Sequence, residues 1–194
     1  MRWNRHSEWQ DKHAVLSASK YHWLNYDDEK LVDYVDNIGA AARGTRLHAY
    51  AKMAIELGLY QINDRQTIHE YINDCIGFRM DPEIMLFYSP WAFGTADAIS
   101  FRREPVDDAI EDMMVLRIFD LKNGKNKASA RQLLVYAALF CLEYQQSPND
   151  IVMDLRIYQN DEIYYVETDP IEIIEIMLKI KDASEMTQKR MEEV

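Results

Sequence analysis

Residues 113–125 read MMVLRIFDLKNGK, and the topology of the chain turns on where this run lies. Up to Asp120 it is apolar and rich in β-formers, as expected of a buried strand. Alternation on that strand puts Asp120 and Lys122 on one face and sends Leu121 to the other, into the core. Asn123–Gly124 is a hairpin signal. The residues after it, ASARQLLVYAALFCLEYQ at 128–145, have helical rather than alternating periodicity, so the strand leads into a helix. A calcium-binding EF-hand loop is also excluded, because Lys122 and Arg131 stand where that loop needs acids.

EIMLFYS (83–89) and WAFGTADAISFR (91–102) read as two further strands before this one. IVMDLRIYQ (151–159) and EIYYVE (162–167) read as two after the helix, joined by a tight turn at Asn160–Asp161. Helices are predicted over Asp36–Leu59 and Asp64–Phe78, the latter from Ile68, Tyr71, Ile72, Cys75 and Ile76 at helical spacing. Ser17 or Ser19 can cap a short helix in LSASKYHWLNY, and a last helix is expected to start near Pro170. The fold class is therefore α/β, a small mixed sheet flanked by helices. The length of 194 residues suits a single domain, with 1–15 as an irregular arm and 185–194 as a charged tail expected to fray.

Hydrophobic residues make up 48% and charged residues 28% of the chain, which is a globular and not a disordered composition. Cys75 and Cys141 form no CxxC pair, and with no leader ahead of them they are expected to be buried thiols in a reducing cytoplasm. No apolar run approaches the roughly 20 residues that span a bilayer, so no membrane partner is expected. The net charge of −11 argues against a protein that coats nucleic acid through lysines and arginines alone. Charge is unevenly placed, however. Lys122 to Arg131 holds four basic residues and no acid, whereas the segment after Asp169 is rich in Glu and Asp.

A carboxylate beside an ammonium, as at Asp120 and Lys122, can hold a divalent cation while the lysine orients water and meets developing negative charge. The same pair also occurs as an ordinary surface ion pair. Asp97 lies in an apolar strand after Gly94, where an acid needs a partner or a cation, unless it caps a strand end. Strict alternation leaves Ala96 and Ala98 together on the face opposite Asp97. His48 falls one helical turn after Gly44 and can be a ligand or a packing residue. Gln132 and Tyr136, one turn apart on a greasy helix, need polar partners, either within the core or at a phosphate or water.

Taken together, LSASKYHWL (16–24), RGTRLH (43–48), GTADAI (94–99), FDLKNGK (119–125) and QLLVY (132–136) resemble, in order and element type, the motifs of RecB-like nucleases of the PD-(D/E)XK superfamily. The likeness is to compact phage and prophage versions. The resemblance implies a restriction-endonuclease-like core in which His48, Asp97, Asp120 and the backbone carbonyl of Leu121 bind Mg2+ or Mn2+. Lys122 would be the catalytic lysine, with Gln132 and Tyr136 facing the active site or the DNA backbone. Leu121 departs from the aromatic residue many relatives carry, and the four-cysteine iron–sulfur cluster of some relatives is absent. The implied activity is a metal-dependent DNA exonuclease acting in recombination, repair or degradation, with endonuclease activity as its nearest variant. Lys125, Lys127 and Arg131 would contact phosphates. A homo-oligomer or a recombination or repair protein is the implied partner besides DNA. The competing expectation is a catalytically silent module of the same fold that binds nucleic acid or a protein.

Overall fold

The computed structural model describes residues 22, 24–106, 111–124 and 129–192, with the backbone alone over 36–43. The chain divides into two compact units, Met1–Thr45 and Arg46–Val194. The expected arm at 1–15 and the Ser17 or Ser19 cap lie outside the described residues. In the first unit, Tyr26 and Tyr34 meet edge to face at 5.7 Å.

Helix α1 spans Asp28–Glu56, starting earlier than the Asp36 that periodicity suggested. The reason is local: the Asp27 carboxylate accepts the Lys30 amide at 2.8 Å, and Asp28 and Glu29 favour the positive end of the helix dipole. At its other end Leu59 N–H reaches the Ala54 carbonyl and Gly58 N–H that of Ile55, with Gly58 at φ 64. This is a Schellman stop, which a residue with a Cβ would strain.

Helix α2, Thr67–Gly77, has no side-chain cap of its own at Gln66. Its cap comes from the far end of the sequence, where Asp161 accepts the Thr67 amide at 2.9 Å and the Thr67 hydroxyl at 3.0 Å. Asp161 can do this because Asn160 and Asp161, at φ 55 and 59, form the tight turn expected of them.

The sheet contains β1 (Asp81–Ser89), β2 (Ala92–Glu104), β3 (Met113–Leu121), β4 (Val152–Gln159) and β5 (Glu162–Val166) in that spatial order. All neighbours are antiparallel except β3 and β4, which are parallel and joined through α3 (Arg131–Glu143). The sheet is thus small and mixed, with helices against it, as expected. Its centre, β3, is buried from Val115 to Leu121, which is why it reads as a nearly continuous apolar run. Helix α4 spans Pro170–Glu192, so the charged segment expected to fray is helical to Glu192.

Two apolar clusters cover the two faces. Leu116, Ile118 and Ile99 pack with Leu133, Ala137 and Phe140 of α3, and Ile173 of α4 belongs to the same cluster. Phe119, Leu121 and Ala98 pack with Ala51 and Ala54 of α1 and Ile72 of α2. Burying the leucine, isoleucine and phenylalanine side chains contributes roughly 1.5–3 kcal/mol each. Cys75 and Cys141 are both buried and unpaired, one in each cluster.

Strict alternation fails between Ala96 and Ala98. Ala96 belongs to the α3 side and Ala98 to the α1–α2 side, so they do not share the face that alternation assigned them. The chain entering β1 does the same, with Met80, just before the strand, on the α1–α2 side and Ile84 packed on the α3 side. The register is unbroken across the change, from Pro82↔Ala98 to Ile84↔Ala96, and the residues between are Glu83 and Asp97. Glu83 adopts φ 55, a left-handed conformation that lets both strands change face without an inserted residue.

Candidate metal centre

The change of face gathers polar groups at one spot. One oxygen of Glu83, one of Asp97 and Nδ1 of His48 lie within 4.8 Å of one another. His48 Nδ1 is 3.4 Å from Asp97 Oδ1 and 3.9 Å from Glu83 Oε1. α1 supplies the histidine on the turn before Ala51 and Ala54, which lock that helix against the sheet. Asp97 is fixed by its other oxygen, which accepts the Leu121 amide at 2.9 Å.

This donor set fits a hard divalent cation. Two donors bound to one octahedral ion at about 2.1 Å would stand roughly 3.0–4.2 Å apart, and the separations of His48 Nδ1 from the two carboxylates fall in that interval. Two carboxylates with one imidazole offer oxygen and nitrogen donors and no thiolate.

Asp120 stands beside this group at the end of β3, only 2% exposed. Burial and the nearby Asp97 charge hold its carboxyl above the usual range, partly offset by Lys122. The Lys122 ammonium lies 3.1 Å from Asp120 Oδ1 and donates to Gln132 Oε1 at 3.0 Å. Gln132 Nε2 in turn donates to the Tyr136 hydroxyl at 2.9 Å. Four residues proposed from the sequence therefore form one hydrogen-bonded chain. The His48 imidazole is raised above its ordinary value of 6.5, first by its hydrogen bond to Asp97, against the opposing effect of burial.

Backbone contacts hold the same end of β3. Lys122 N–H reaches the Tyr158 carbonyl at 2.9 Å, and the buried Gln159 side chain donates to the Gly124 carbonyl at 2.6 Å. Leu121 buries its side chain among Phe119 and Tyr158, which leaves its backbone next to Asp97. On the α3 side, a Cβ added to Gly94 would stand 2.9 Å from Tyr136 Cε1, so the glycine is what admits that ring.

Arg131 is the first residue of α3 and is exposed, while Lys125 and Lys127 lie outside the described residues. The structure adds Glu83, which sequence reasoning passed over. Its only signal was an acid opening a strand-like run, and its place opposite Asp97 follows from the register alone. A cavity of about 750 Å³ lined by Phe78, Arg79, Arg102 and Arg103 shares no residue with this centre. Among the described residues no helix is long and apolar enough to cross a membrane. No family model matches the chain, and no curated protein does.

Proposed function

We propose that the chain is a metal-dependent deoxyribonuclease of the RecB-like kind, acting on DNA ends as an exonuclease. The observation that carries this reading is the adjacency of two arrangements. An acidic pocket with one imidazole, His48–Glu83–Asp97, lies beside a lysine held between Asp120 and Gln132.

Burial and the Asp97 charge raise the cost of ionising Asp120, a cost that a cation or a proton relieves. Bound there, Mg2+ or Mn2+ would make water a stronger nucleophile and offset charge on the scissile phosphate. The protein's own contribution is positioning and electrostatics. Lys122 places an ammonium where negative charge develops on the phosphate oxygens. Asp120 and Gln132 fix its direction, and Tyr136 fixes Gln132. Asp97 and Glu83 hold the cation, and His48 completes the donor set from the facing helix. Arg131 offers a phosphate contact at the entry to α3. On an acidic chain, such local positive charge and the cation itself are what can hold a phosphodiester.

The test is degradation of linear and circular DNA with Mn2+ by the wild type, Asp120→Ala and Lys122→Ala. Loss of linear DNA in the wild type alone supports an exonuclease, and loss of both forms supports the endonuclease variant. No degradation above the mutant background by the wild type rejects the enzyme and leaves the silent module.

A further inference from the structure

The β1–β2 hairpin carries a second feature on the face turned away from α3. Beyond Glu83 and Asp97 the paired residues on this face are Met85 with Thr95 and Phe87 with Phe93. The residues between them, Leu86 and Gly94, face α3, where Leu86 is fully buried and Gly94 abuts Tyr136. Phe87 and Phe93 are 44% and 55% exposed, and Met85 and Trp91 are exposed as well. The two phenylalanine rings lie 6.1 Å apart at an interplanar angle of 23°.

Exposed rings of this kind, clustered together, mark a surface that meets something. A cross-strand aromatic pair steadies the hairpin by a few tenths of a kcal/mol to about 1 kcal/mol, and leucines would serve that purpose too. What phenylalanines add is a flat π face.

Resting on the nuclease reading, we infer that Phe87 and Phe93, with Trp91 at the hairpin tip, are a stacking platform for unpaired bases, so that the strand entering the metal centre is single-stranded. Three observations select this occupant. The pair lies four residues from Glu83 and Asp97 along the strands, about 13 Å at strand rise, so a strand whose phosphate reaches the centre has its neighbouring bases over the rings. No charged side chain occurs from Ile84 to Ala96 in a chain of net charge −11, and Glu143, the acid that meets this stretch at its edge, is engaged by the Phe87 amide. Pairing of another strand with the edge of β1 is disfavoured, because the outward Phe87 amide is already taken by Glu143 Oε2 at 2.7 Å. Stacking is indifferent to base identity, since every base has a π face.

The experiment compares wild type with the double variant Phe87→Leu/Phe93→Leu, which keeps apolar bulk and removes the rings. Fluorescence anisotropy is read with labelled oligothymidylate, oligouridylate and a blunt DNA duplex, in Ca2+ and with probe integrity checked on a gel. The double variant is expected to bind the single strands about tenfold or more weakly and the duplex unchanged. The DNA and RNA arms show which single strand is preferred. Equal single-strand affinity in the two proteins overturns the inference. So does a wild-type dimer that the substitutions dissociate without altering strand binding, which makes the strip a self-interface. Ring-dependent binding without any Mn2+-dependent cleavage upholds the platform and rejects the nuclease. Cleavage of single strands at wild-type rate by the double variant does the reverse.

Discussion

Asp97 accepts the backbone amide of Leu121 at 2.9 Å, at the end of the β2–β3 ladder whose last pair is Ala98 with Phe119. One carboxylate oxygen thus closes the sheet while the other faces His48. The two roles separate by substitution. Asp97→Asn keeps an oxygen for Leu121 and removes the charge, so it should fold normally, lose Mn2+ binding by calorimetry and lose cleavage. Asp97→Ala also strands the Leu121 amide, which costs about 1–3 kcal/mol. In urea unfolding, Asp97→Ala should therefore be the less stable of the two. Wild-type Mn2+ affinity in Asp97→Asn would remove Asp97 from the centre.

Glu83 holds a left-handed backbone, φ 55, inside a strand, at a cost of roughly 1–2 kcal/mol for a residue with a Cβ. Strain of this kind persists where the side chain is needed. Glu83→Gly relieves it and deletes a ligand. We expect the metal-free variant to be as stable as the wild type or more so, by up to about 1 kcal/mol, with metal affinity reduced. Glu83→Gln keeps the strain and loses the charge, and so should lose affinity without gaining stability. A Glu83→Gly protein that is both less stable and unaltered in metal binding contradicts this role.

Gly94 and Tyr136 are coupled by contact, since a Cβ on Gly94 would sit 2.9 Å from the ring. Gly94→Ala pushes Tyr136 away from Gln132 and disturbs the lysine that Gln132 holds. The expected cost is about 1–3 kcal/mol of stability, the usual range for overpacking, with a fall in kcat larger than any change in KM. Tyr136→Phe removes only the hydroxyl and should leave stability within about 1.5 kcal/mol while lowering kcat. In a double-mutant cycle, Gly94→Ala should cost less when Tyr136 is already Ala than in the wild type. Additivity of those two changes would disprove the contact.

Much of this was legible in the sequence. Five strands and the helices flanking them follow from periodicity, and Asn160–Asp161 announces its turn because those residue types tolerate positive φ. The pairing of Asp120 with Lys122 follows from a period of two on β3. What stayed hidden is long-range. Asp161 caps α2 from 94 positions away, and no local rule reaches that far. Glu83 meets Asp97 only because β1 and β2 pair in one register. The separation of Ala96 from Ala98 escaped a strict alternation that Glu83 breaks by a backbone angle no residue type advertises.

His48 and Asp120 both have folded-state pKa values raised above their ordinary 6.5 and 3.8. Each therefore contributes stability that is present below its unfolded value and lost as pH rises through its folded value. For His48 the cause is the hydrogen bond to Asp97, so the metal-free protein holds that proton to a pH above 6.5. A cation at the same atoms requires neutral imidazole and ionised carboxylates, and its binding must expel the proton. Mn2+ affinity should rise with pH across the His48 titration. Because a ligand of the folded state stabilises in proportion to the logarithm of its occupancy, the Mn2+-induced rise in Tm should be small at about pH 5.5 and larger at about pH 8, on either side of the histidine range. His48→Gln should flatten that difference, since the amide does not titrate. An equal Mn2+ increment at both pH values in the wild type would show that His48 is not part of the cation site.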